Sequence, residues 1–388
     1  MSATSEFGTY DFGLTDDDER RARQLHDRSI IVDMLHQGPC GHRAFADHEE
    51  ELRRQYAEHG DRSRLYSDAG RLLLDLELRG ESKALETTLG EAGITSITRE
   101  VDFFGSTPAE VLGTFARVQQ QFDTFPWLRT ALRAEDFARA KSDGAHVGVL
   151  NTQYPDRIVN DVTVVDALHG LGLRQFQLTY NVMNEIAAGC TERTDAGVSM
   201  LGVRWIQRMN ELGIIVDTGH CGHRTTLDAC EISTKPVIAS HTAAQGVFHH
   251  DRGKSDEELR ALADTGGVIG IVAVPFFLSA DAAPTVEVLL DHLDHVIDLV
   301  GWQHVGIGAD WPMQYPKFVL DEVLPSFTAD MGFRPEHQIR PSLNLIGFDD
   351  SRDFLNITRG LVSRGHGDDA IVGILGGNYI RVFDEVVG

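Results

Sequence analysis

Cysteine is scarce: the 388 residues hold four, Cys40, Cys190, Cys221 and Cys230, with no CxxC spacing. That excludes a small disulfide-stapled scaffold, and reduced thiols in a cytoplasm are the simplest reading. Long apolar runs are missing as well, so no segment approaches the roughly 18 residues of a membrane span. The start, MSATSEFGTYDFGLTDDDERR, has neither a basic stretch nor an apolar one, so a signal peptide is not expected. Basic residues are few, 35 against 59 acidic ones, for a net charge of −24. Nucleic acid and anionic membrane are therefore not expected as partners. What is present is 42% hydrophobic, enough for a large core, with proline and glycine spread evenly and no repeats.

The stretch from Gly213 to Thr242 organises the chain. Two β-type runs, Ile214-Ile215-Val216 and Val237-Ile238-Ala239, are each followed closely by a histidine, His220 and His241, and one helix's worth of sequence separates them. This is a βαβ unit with an imidazole at the C-terminal end of each parallel strand. In a (β/α)₈ barrel that edge is the catalytic one. A single such histidine is most simply a strand-end residue bonded to backbone; two at matched ends point to a metal.

The rest of the chain fits that barrel. β-type runs lie at Ser29–Leu35, Ile94–Val101, His146–Asn151, Gln175–Thr179, Ile214–Val216, Val237–Ala239, Val268–Val274 and His304–Ala309. Helical stretches alternate with them, and Val286–Val300 is strongly periodic. Residues 1–28 read as an arm and a helix capped by Thr15, and residues 29–388 as one α/β domain, a (β/α)₈ TIM barrel with long barrel-top loops. Ser255 and Glu258 form a capping-box pattern. Asp310 ends the eighth strand, so a carboxylate joins the two histidines as a third metal ligand or as a base for metal-bound water. Trp311 and the pair Phe276-Phe277 are candidates for an apolar pocket. The segment after the first strand, with Cys40, His42, Arg43 and Phe45, is the expected specificity loop.

These strings resemble the renal (membrane) dipeptidase family of amidohydrolase-type barrels. The resemblance runs from the first strand to the C-terminus. It is carried by LTYN (178–181), MNELGIIVDTGH (209–220), PVIASHTAA (236–244), DRGKSDEEL (251–259), VGIGAD (305–310) and GGNYIRVF (376–383). It implies a two-zinc hydrolase and a homodimer. His220 and His241 would be metal ligands, Asp310 the strand-eight acid and Arg252 the group that binds a substrate carboxylate through its planar fork.

The departures are concentrated in the implied metal site. Where the family carries H-x-D on its first strand, this chain aligns Leu35 and Gln37, with His36 between them. Leu150 aligns with the bridging glutamate, and Tyr180 with the histidine of LTHN. Two zinc ions about 3.5 Å apart need bridging negative charge. The expected site is therefore remodelled: one divalent metal, zinc or alternatively iron, on His220, His241 and Asp310. Asp310 would act as base, Tyr180 or His36 would steady an oxyanion, and Arg252, Asn151, Gln37 and Trp311 would hold a small substrate. The expected reaction is hydrolysis of an amide-like bond. The alternatives are lyase, isomerase or mononuclear-iron oxygen chemistry, or a barrel that binds a ligand without turnover.

Overall fold

The computed structural model describes residues 7–36, 48–59, 62–102 and 107–388. Among the described residues ten strands are formed: β1 (Ile31–Asp33), β2 (Ile94–Glu100), β3 (Leu128–Thr130), β4 (His146–Thr152), β5 (Leu173–Gln177), β6 (Ile215–Asp217), β7 (Val237–Ala244), β8 (Gly253–Lys254), β9 (Ile269–Ile271) and β10 (Val305–Ile307). Eight of them pair in parallel in the order β2-β1-β10-β9-β7-β6-β5-β4, and β4 pairs back onto β2. The ring is thus a closed (β/α)₈ barrel, built from the eight runs expected from the sequence. The two additional strands are short: β3 pairs with the start of β4, and β8 with the end of β7.

Helices between the strands cover the outside, where local chemistry sets their limits. Thr15 caps Asp16–Arg28 by accepting from Asp18 N, and four acids fill the first turn. Ser255 and Glu258 close the expected capping box on Asp256–Asp264. In Val286–Val300 the apolar stripe Val286, Leu289, Leu290, Leu293 and Val296 is buried. The N-terminal arm is tied into this outer layer: Gly8 N donates to Asp353 Oδ1 at 2.8 Å, and Arg359 binds Glu19 and the Tyr10 carbonyl.

Strand alternation decides what points inward. On β4, Val147 and Val149 join Val32, Met34, Ile215, Ile238 and Val268 in the barrel interior. The C-terminal helix Asn378–Val386 seals this floor with Tyr379, Val382 and Phe383. Leu150 belongs to the outer core against the helices, and a side chain at Gly148 would meet Phe122 there. Asn151 therefore continues the inward set. Above the apolar floor lies a polar belt. Asp217 accepts from Gly219 N, Ser240 N and Gln175 Nε2 at 2.9–3.0 Å, and Asp33 accepts from Ala309 N at 2.8 Å. No helix among the described residues is long and apolar enough to cross a membrane. Cys190, Cys221 and Cys230 are free thiols.

Candidate active site

His220 lies three residues past β6, with both ring nitrogens engaged. Nδ1 donates to Asn181 Oδ1 at 2.7 Å, a direction fixed because Asn181 Nδ2 already donates to the Met331 carbonyl. Nε2 therefore carries the lone pair, and it faces Arg252 Nη2 at 3.3 Å. Tyr180 stacks on the ring, centroids 3.9 Å apart. His241, 4.8 Å from His220 between ring centroids, sits inside β7 rather than at its end, because the pairing with β8 extends that strand to Ala244. Its Nδ1 meets Ser240 Oγ at 2.8 Å, and its Nε2 is buried without a partner. Burial first, then the Arg252 guanidinium, holds both imidazoles well below their ordinary pKa, so both are neutral.

Arg252 is fully buried. It donates to the carbonyls of Gly219 (2.6 Å) and His241 (3.4 Å), and its Nε has no partner. Among the described residues it forms no ion pair. The adjacent Asp251 is taken by Arg334 and His337 instead.

Asp310 follows β10 with φ 52°, a left-handed conformation, and its N–H is held by the Leu35 carbonyl at 2.9 Å. It lines a cavity of about 510 Å³, mouth included, together with Tyr154, Tyr180, His220 and Trp311. The Trp311 indole N–H is spent on the Leu343 carbonyl and Asn344 Oδ1, both at 2.8 Å, so Trp311 contributes a fixed ring wall. Burial, and after it Asp310, raises the Tyr180 phenol far above its ordinary pKa. Tyr180 is therefore a neutral hydrogen-bond donor.

Two expected positions are corrected. His36 is buried against Asp33, with Nδ1 2.9 Å from Oδ2, and is not among the described residues that line the cavity; that pairing holds its ring beside β1. The side chain standing inward on β4 is Asn151, not Leu150, which packs in the outer core, so the inward position carries a neutral amide. Both polar atoms of Asn151 are buried and unpartnered, as are Gln153 Oε1 and Gln177 Oε1 nearby. Gln37 and the expected specificity loop lie outside the described residues.

The sequence reading missed the acids that end β2. Glu100 accepts from Gln153 Nε2; Asp102 accepts from Thr152 Oγ1, Gln153 N (3.0 Å) and Tyr154 N (2.9 Å), pinning the turn after β4. The alternation ITSITRE puts Glu100 on the face of Ser96 and Thr98, and that was the signal available. Burial, then the charges of Asp102 and Asp310, pushes the Glu100 carboxyl up from 4.5 to about 8. Burial likewise pushes Asp102 up to about 7 and Glu77 to about 7. A carboxyl raised this way stabilises the fold fully below its unfolded value and loses that contribution as pH climbs through the folded one. Glu100→Gln is thus expected to match the parent's Tm at pH 5 and to exceed it by roughly 2 °C or more at pH 8.5, read by calorimetry. Glu77 and Asp102 titrate in the same window, so the decline flattens without vanishing.

The sequence profile of the membrane dipeptidase family (Peptidase family M19) matches residues 19–323. The chain belongs to the membrane dipeptidase family. Among curated relatives, a Schizosaccharomyces pombe protein named uncharacterized dipeptidase C965.12 is 33% identical over 181 residues, 45% of this chain and 43% of the relative. Dipeptidase tcpJ of Claviceps purpurea is 27% identical over 262 residues, 67% and 55% of the two chains. The matched stretch thus spans about half the length of these relatives. A solved amidohydrolase from Pseudomonas aeruginosa superposes with a TM-score of 0.74 at 24% identity, covering 94% of this chain and 98% of its own. At that identity the likeness shows the fold.

Membership in this metallopeptidase family implies a divalent metal, typically zinc, and the residues present do not fit it. No three histidine, cysteine, aspartate or glutamate side chains among the described residues converge on one point that an ion would occupy. The expected set of His220, His241 and Asp310 is not gathered. The His220 lone pair is already taken by a guanidinium, a cation where a metal would have to stand. The inward residue on β4 is a neutral amide.

Proposed function

We propose that this family member cleaves an amide-like bond in a small substrate carrying a carboxylate. The observation that supports this most is Arg252. A buried guanidinium without a carboxylate partner is costly, typically by 3–5 kcal/mol when a pair is broken, and the site is relieved when a ligand supplies the anion. Arg252 touches two cavity residues, His220 at 3.3 Å and the Phe277 ring, 5.3 Å from Cζ to centroid. The substrate carboxylate is drawn to the gap between them. Family membership and the relatives' names supply the amide bond.

The chemistry follows from the remaining groups. Water attacks the carbonyl carbon and gives its proton to the Asp310 carboxylate. Tyr180 donates to the oxyanion. The C–N bond breaks as Asp310 returns the proton to the leaving amine. A lyase or isomerase that uses the same acid–base groups is the second reading, favoured by the missing metal donors; product analysis by mass spectrometry separates it, since hydrolysis adds one water.

The test compares a panel of dipeptides with their C-terminal amides. At least about tenfold higher kcat/KM for the free acids is expected, because a carboxylate on a guanidinium is worth more than 1.4 kcal/mol here. Equal rates would remove Arg252 from the reading. Elemental mass spectrometry on the same preparation is expected to find well below one equivalent of zinc or iron. One equivalent, lost in His241→Ala, would restore the single-ion site.

A further inference from the structure

Among the described residues the cavity lining is polar at Tyr154, Tyr180, His220, Asp310 and Thr328 and apolar elsewhere. Tyr154, Tyr180, His220 and Asp310 form the polar floor. The roof comes from the segment after β9 and from the long irregular stretch after β10, and its surface toward the floor is aromatic rings and methionine side chains. The rings are held in place. Phe276 stands edge-on to Trp311 (5.5 Å, 90°) and to Phe277 (4.8 Å, 74°), while Phe277 lies nearly parallel to Phe333 at 6.1 Å. Trp311 is locked by its two hydrogen bonds. Met313 and Met331 fill between them with side chains that adapt to an incoming group and make favourable sulfur contacts with rings.

A small polar substrate would leave this wall wet. An aromatic group between fixed rings gains burial on both surfaces together with edge-to-face contact. The geometry points to a substrate whose amide bond lies over Asp310 and whose bulky apolar side chain, aromatic ahead of aliphatic, fills the roof between Trp311, Phe276 and Phe333. This rests on the function proposed above and narrows its substrate class.

Binding can be read without turnover, because Trp311 lines the cavity. Titrating the full chain with Gly-Phe, Gly-Leu, Gly-Ser and Gly-Gly while following tryptophan fluorescence should give a signal that Trp311→Phe removes. Gly-Phe is expected to bind roughly 10- to 100-fold more tightly than Gly-Gly, with Gly-Leu between, as burial of a full apolar side chain dictates. Phe333 is half-buried at the rim, so Phe333→Ser should fold; it is expected to cut the Phe-over-Gly ratio at least about threefold without changing Gly-Gly binding. Equal binding across the series, or preference for Gly-Ser, overturns the proposal even if all four are hydrolysed. Tight, Trp311-dependent binding of Gly-Phe with no hydrolysis leaves this inference standing and sinks the hydrolase reading.

Discussion

Asp310→Asn is expected to lower kcat by about 10²- to 10⁴-fold while changing the affinity for the best dipeptide less than about threefold. Asparagine is the informative replacement. Residue 310 has φ 52°, a region that asparagine adopts readily and alanine does not, so the backbone after β10 and its hydrogen bond to the Leu35 carbonyl stay in place. The amide keeps the size of the carboxylate and loses its ability to take a proton. A fall in kcat at unchanged binding marks an interaction used in the chemical step rather than in holding the substrate. There is a second readout independent of turnover. Asp310 is one of the charges that push the Glu100 carboxyl up, so neutralising it moves Glu100 back toward its ordinary range. Stability of the variant should therefore fall less between pH 5 and 8.5 than in the parent. A kcat within tenfold of the parent would exclude Asp310 as the proton acceptor and turn attention to Glu100.

The barrel was legible because most of its strands are short β-type runs bounded by helix-period sequence, and because strand ends at His220 and Asp310 are marked by small residues followed by a chemically distinctive side chain. The two histidines, Tyr180 and Arg252 lie in contact, and Asp310 lines the same cavity as His220 and Tyr180 without joining the histidines at one point. What the sequence could not convey was direction and competition. Motif alignment placed Leu150 opposite a family carboxylate, whereas the alternation of β4 turns Leu150 outward and Asn151 inward. Nothing in DRGKSDEEL says that its arginine points back at His220 Nε2, since that contact joins residues 32 apart across the helix His223–Ile232 and strand β7. Glu100 was hidden in a strand read for its apolar residues alone. The roof was hidden for a different reason: residues 311–341 have no period of 2 or 3.6, so no pattern revealed which of their apolar side chains face inward.

Arg252→Met should separate the two roles assigned to this arginine, and its effects are expected to be large in opposite directions for two ligands. Methionine matches much of the guanidinium's bulk without its charge. The carbonyls of Gly219 and His241 lose donors, at a cost of about 1–3 kcal/mol each, while the desolvated charge disappears, so the variant's Tm is measured before binding is read. Affinity for a carboxylate-bearing dipeptide is expected to fall at least about 100-fold, as loss of a desolvated charge-assisted pair implies, while the C-terminal amide is little affected. At the same time the lone pair of His220 Nε2 is released; burial, the larger cause, still holds both histidines below their ordinary pKa, while the repulsion from the guanidinium is gone. His220 Nε2 and the unpartnered Nε2 of His241 are then both open to a ligand, on rings 4.8 Å apart. Zinc affinity, measured by calorimetric titration of the parent and the variant at one pH, should rise at least about tenfold in Arg252→Met. Arg252→Lys is the control: it keeps the charge but not the fork, and should lose carboxylate affinity partially while gaining little for zinc. A variant that binds the carboxylate as well as the parent does would show that the guanidinium serves the fold alone. A parent that already binds zinc as tightly as the variant would show that Arg252 gives way to a metal, and a single-ion site on His220 and His241 would replace the metal-free reading.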